Sequence, residues 1–252
     1  MSGMWEAGFW GFVGGSALIL GAVIAWFVTL PQRLIAGVMA IGSGVLISAV
    51  AFDLMDEAFR QGGFDSTALG FLGGALVYTA ANVVISRRGA RHRKRSGSNP
   101  DAAQADARSG AGAAIAVGAL LDGIPESVVI GVSLLGGGGV SAVTVAAVFL
   151  SNVPEGLSSA AGMKKAGRGP AYVFGVWGGI AAASGIAAMI GNVALAGANP
   201  ELIAAVTAVA AGAILAMLVD TMIPEATENG HEYSGLIAVV GFLIAFVLTK
   251  LE

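Results

Sequence analysis

LLDGIPESVVIG, residues 120–131, sets an aspartate, a proline and a glutamate inside an apolar run, and FLSNVPEGLSSAAG, residues 149–162, repeats the pattern with Pro154 and Glu155. Proline removes a backbone donor and interrupts a helix. A carboxylate in apolar surroundings is costly unless something compensates it. What the chain builds depends on whether these stretches lie in a water-soluble core or in a membrane.

Composition decides that. The chain has 252 residues, 56% of them hydrophobic and only 12% charged, with a mean hydropathy of +0.82. A soluble domain carries about 25% charged residues. So few charges cannot cover a water-facing surface, and the expected fold is an all-α polytopic membrane protein. A bilayer span needs roughly 20 mostly apolar residues. Eight transmembrane helices fit, at about 8–30, 33–55, 66–86, 111–135, 140–163, 171–193, 201–223 and 234–250. The first lacks a basic leader and is long enough to stay in the membrane, unlike a signal peptide. Residues 1–252 then form a single transporter-like domain. With no cysteine, thiolate metal sites and disulfides are excluded. The 39 glycines suit closely packed membrane helices.

The linker 87–110 is basic and then polar, as a cytoplasmic loop should be, so nucleic acid is not an expected partner. With this loop inside, Arg33, Arg87, Arg88, Arg91, Arg93, Lys94, Arg95, Arg108, Lys164, Lys165 and Arg168 fall inside, against Arg60 and Lys250 outside. That asymmetry places the chain in the plasma (inner) membrane with both termini extracytoplasmic. GSGVLISAVAFDLMDEA at 42–58 resembles AAGAILAMLVDTMIPEA at 210–226, with Asp53 matched to Asp220 and Glu-Ala closing both. These stretches cross in opposite directions. Spans 1–3 and 6–8 therefore read as an inverted repeat around spans 4–5, which rock against them.

Within span four, Asp122 and Glu126 are four residues apart and share a helix face. In span five, Ser151 and Asn152 stand four and three residues before Glu155. A mid-membrane carboxylate costs roughly 2.5–3.5 kcal/mol, so three cost on the order of 8–10 kcal/mol. Neither span interior has a Lys or Arg to offset them. A cation supplied from outside would do so, and a divalent metal fits; a proton relay is the other functional reading.

These motifs resemble the ZIP (Zrt/Irt-like) family of divalent metal transporters, of which this chain would be a divergent member. The family carries His-Asn-x-Pro-Glu in span four and a related Pro-Glu-Gly motif in span five. Here Pro125-Glu126-Ser127 and Pro154-Glu155-Gly156 match that frame. The resemblance implies Glu126 and Glu155 as central ligands, with Asp122 in place of the span-four His and Ser151 in place of the span-five His or Gln. Gly123 replaces the motif Asn and cannot ligate, and span six has no acid. One metal site is therefore expected, built from Asp122, Glu126, Glu155 and the Asn152 carbonyl, with Ser151 or water completing it. The metal is substrate, Zn²⁺ first; the oxygen-rich set also suits Fe²⁺ or Mn²⁺.

Asp53, Asp56 and Glu57 near one membrane face, and Asp220, Glu225 and His231 near the other, are expected to line the entrance and exit. The glycines at 136–139 lack the following Lys-Ser or Lys-Thr of a phosphate loop, so ATP is not expected to drive transport. No nucleophile–base pair or HExxH appears, which argues against an enzyme. A metal-dependent membrane enzyme and a cation-coupled carrier of a small solute remain the alternatives. Expected partners are metal ions and membrane lipids, and a homodimer stays open.

Overall fold

The computed structural model describes residues 2–90, 112–136, 141–228 and 232–251. Most of the linker 87–110, much of the glycine run and His231 fall outside them. Among the described residues every regular element is helical. Six stretches are long and apolar enough to cross a membrane: Gly3–Phe27, Gln32–Arg88, Ala116–Ser133, Pro170–Leu195, Pro200–Glu228 and Ser234–Leu251. Helices suit a bilayer because they satisfy their backbone groups internally.

Helix α1 (Ser2–Phe27) starts earlier than the expected 8–30 and stops short of Pro31, which bars the preceding residue from helical torsions. Next come α2 (Gln32–Ala49), a π turn at Val50–Leu54 and α3 (Met55–Ile85). The expected loop at 56–65 is instead helical on both sides of one hinge, Gly63, at φ 69 and ψ −173. That conformation suits glycine. Unbroken, the 57-residue run would extend about 85 Å, nearly three bilayer cores.

Helix α4 (Gly112–Ser133) holds Pro125 and ends in a 3₁₀ turn, Leu134–Gly136. Helix α5 (Ala142–Lys165) holds Pro154, and the Ser141 side chain caps its start by accepting from the Thr144 N–H. Helices α6 (Pro170–Leu195) and α7 (Pro200–Met217) both open on proline, favoured in a first turn. A second π turn, Leu218–Met222, leads into α8 (Ile223–Glu228), followed by α9 (Ser234–Leu251).

The helices pack as two bundles. In one, α1 lies against α5 and α6, and α4 against α6. In the other, α3 lies along α7 and α2 along α9. Their main cores are separate: Leu18, Ala22, Leu157, Val173 and Trp177 in the first, Met39, Leu46, Tyr78, Ile214 and Met222 in the second. Helices α1 and α6 thus pack with α4 and α5, rather than with the flanking spans that the sequence grouped with them.

Helices α2 and α7 are each 18 residues long and each followed by a five-residue π turn. Pairing Gln32 with Pro200 also pairs Val50 with Leu218, Gly44 with Gly212 and Glu57 with Glu225. In this register Asp53 falls opposite Thr221, and Asp220 opposite Phe52, so the expected Asp53–Asp220 match is off by one residue. Gly44 and Gly212 also do the same job. A Cβ on Gly44 would lie 1.9 Å from the Ala238 carbonyl oxygen on α9, and one on Gly212 1.9 Å from that of Phe71 on α3. Only glycine permits such close crossings.

Candidate functional site

The two proline-containing helices bury their motif side chains. Asp122 and Glu126 on α4 are each 1% exposed, and Ser151, Asn152 and Glu155 on α5 are buried too. Neither helix carries a basic residue except Lys164 and Lys165 at the end of α5.

Each motif residue is held by a specific neighbour. Asp122 Oδ1 accepts a 2.6 Å hydrogen bond from the Tyr78 hydroxyl of α3, itself fully buried. Asn152 Nδ2 donates to the Gly14 carbonyl of α1 at 3.1 Å, which commits its nitrogen to α1 and turns its oxygen elsewhere. Ser151 donates to Val148 O at 2.9 Å and keeps its acceptor lone pairs. Gly156 sets the place of Glu155: a Cβ there would lie 2.1 Å from the Leu18 carbonyl oxygen, so α1 and α5 touch backbone to backbone. Gly123 faces Ser184 and Ile180 of α6.

Between the bundles, at the end carrying Gly63 and Ser141, opens a vestibule of about 630 Å³. Asp53, Asp56, Glu57, Ser133, Thr144 and Thr207 are among its lining residues. Asp56 pairs with Arg60 at 2.6 Å and Glu57 accepts from Gln61, both as exposed contacts one turn along α3. Deeper lies a cavity of about 10 Å³, room for roughly one water-sized body. Asp53 and Glu126 both line it. The structure thus joins an entrance residue to a motif carboxylate, a pairing the sequence did not suggest.

At the opposite end, where Lys165 and the Ser86–Ala90 turn that leads into the linker lie, Glu225 is 0% exposed. Its Oε1 accepts from Ser158 Oγ at 3.1 Å and from Gln32 Nε2 at 3.4 Å, and Lys165 Nζ donates to Gln32 Oε1 at 3.2 Å. Asp220 lies on the surface instead and accepts from Asn82 at 2.8 Å. Asp220 and Glu225 therefore do not share one exit lining.

Among the described residues, no three His, Cys, Asp or Glu side chains come together as a group able to hold a metal ion. Asp122 is tied to Tyr78, and Glu126 faces the small cavity with Asp53. Sequence reasoning missed Tyr78, Ser158 and Gln32. Tyr78 had a signal, as one of only three tyrosines and the one in mid-span, but its spacing reads equally well as core. No protein-family model matches the chain, and comparison with curated proteins gives no match.

Proposed function

We propose that this chain is a membrane carrier of a divalent metal cation. The observation that carries the reading is the burial of Asp122, Glu126 and Glu155 beside two helix-interior prolines, in helices whose interiors have no basic residue. Buried acids in a membrane bundle mark cation pathways. Zn²⁺ is the first candidate substrate, with Fe²⁺ or Mn²⁺ next because the ligands are all oxygen. Asp122, Glu126, Glu155, Asn152 and Ser151 would form the central site, fed through the vestibule by Asp53. The cation draws the carboxylates together as the bundles shift.

The topology in this reading has eight spans. Gln32–Arg88 supplies two, on either side of Gly63, and α5 is the span whose polar motif lowers its hydropathy. The linker end is cytoplasmic by its Lys and Arg content. The matched α2 and α7 elements support an inverted repeat. So does the packing: exchanging spans 1–3 with 6–8, and four with five, turns the α2–α9 contact into α7–α3, and α1–α5 into α6–α4. The moving units are then the two packed bundles, with α1 and α6 travelling with α4 and α5.

The vestibule favours a second reading. Its volume of about 630 Å³ falls among small-molecule sites, roughly 300–1,000 Å³, so a cation-coupled carrier of a small polar solute is the alternative. Proteoliposome uptake of Zn²⁺, Fe²⁺ and Mn²⁺ separates the two. Metal uptake lost in Glu126→Gln and Glu155→Gln supports the first; no metal uptake or binding by the wild-type protein rejects it.

A further inference from the structure

The repeat register links the two ends of the molecule. Glu57 and Glu225 are equivalent positions, as are Gln32 and Pro200, which open α2 and α7. Ser158 follows the motif Glu155 by three residues, as Val129 follows Glu126. At the linker end, Glu225 is wholly buried and Gln32 and Ser158 donate to it. At the other end, the equivalents Glu57, Pro200 and Val129 all line the open vestibule. The same three positions are closed on each other at one end and line an open cavity at the other.

We propose that the Gln32–Glu225–Ser158 clasp is a closed gate, that the vestibule is the same gate opened, and that the carrier at rest is held open at the vestibule end because, of these equivalent positions, only the linker-end set carries side-chain donors for its glutamate. The proposal rests on the inverted-repeat reading and not on the identity of the substrate. Ser158 sits on α5 and Glu225 on α8, so their bond crosses between the bundles. So does the bond from Lys165 to Gln32. Pro200 and Val129 have no side-chain donor. When the cycle inverts, Glu57, which keeps its bond from Gln61 on its own helix, closes against them without the cross-gate hydrogen bond that Glu225 receives from Ser158. Losing one hydrogen bond to a carboxylate shifts an equilibrium by roughly ten-fold or more.

The test uses accessibility, since the chain has no cysteine of its own. Single cysteines are placed at Ser133, which lines the vestibule, and at Ala226, buried beside Glu225. Each is reacted with a membrane-impermeant thiol reagent from its own side in proteoliposomes. The Ser133 reporter should react fast and the Ala226 reporter slowly. In Ser158→Ala combined with Gln32→Met, labelling at Ala226 should rise about ten-fold or more and labelling at Ser133 should fall. The converse variant, Val129→Ser with Pro200→Gln, gives the vestibule gate donors. It should also slow Ser133 and speed Ala226, and it decides the matter if the first variant fails to fold. Unchanged rates in a folded variant overturn the proposal. Labelling needs no metal, so a chain that binds none but shows these shifts refutes the substrate reading and leaves the gate standing.

Discussion

Gly156→Ala puts the packing of the α5 motif to a quantitative test. The added Cβ would stand 2.1 Å from the Leu18 carbonyl oxygen and 2.7 Å from that residue's carbonyl carbon and Cα. Ordinary contact begins at 3.4 Å. The obstacle is backbone, with no flexible side chain to swing away, so α1 must retreat from α5 by about 1 Å. Gly21 tightens the constraint from the other side, because its own missing Cβ faces the Val153 carbonyl oxygen at 2.1 Å. Overpacking costs about 1–3 kcal/mol, and this site belongs at the upper end. Thermal unfolding of the purified protein should drop by roughly 6–12 °C, at about 2–4 °C per kcal/mol for a chain of this size. Transport should fall as well, because Glu155 is the adjacent residue and moves with the displaced backbone. Gly175→Ala is the control: nothing lies within 4 Å of its Cβ position, so it should be neutral or slightly stabilising. Equal melting temperatures for the two variants would refute the claim that the α1–α5 crossing positions the motif.

Tyr78→Phe removes the hydroxyl that donates to Asp122 and should lower stability by about 1–3 kcal/mol, read by thermal unfolding; an unchanged melting temperature would deny that the bond matters. Asp122→His exchanges a hard charged oxygen for a borderline nitrogen and should shift preference toward Zn²⁺ over Mn²⁺ in competition uptake. An unchanged metal ratio would remove Asp122 from the ligand set. A cysteine at Ser98 should be labelled only from the cytoplasmic side, and labelling from outside would invert the proposed topology.

The helices were legible because hydropathy and length dominate in a membrane protein, and the motif carboxylates were legible because acids inside apolar runs stand out. The helices containing 122–126 and 151–155 follow from that contrast alone. Other features rest on tertiary packing and leave weaker traces. The helical 56–65 segment is polar enough to read as a loop, and only the Gly63 torsion shows one helix ending and another beginning. The π turns shift the phase of α2 and α7, which no apolar periodicity reveals. The offset of Asp53 from Asp220 was legible without them, because the stretches 42–58 and 210–226 aligned end to end already pair Asp53 with Thr221. Glu225 sits in a polar stretch beside Thr227 and Glu228 and looks solvated, yet α2 and α5 close over it. The Tyr78–Asp122 bond joins residues 44 apart in sequence, and nothing local to either names the other.

The most direct test of the carrier reading is metal binding by the purified wild-type chain alongside Glu126→Gln and Glu155→Gln, measured by elemental analysis after equilibration with Zn²⁺, Mn²⁺ or Fe²⁺ at two pH values. A central carboxylate site predicts about one metal per chain for the wild type, weaker binding at the lower pH because protons compete for the ligands, and loss of the bound metal in both variants. Wild-type protein that binds none of the three metals, or variants that bind as well as wild type, would contradict it.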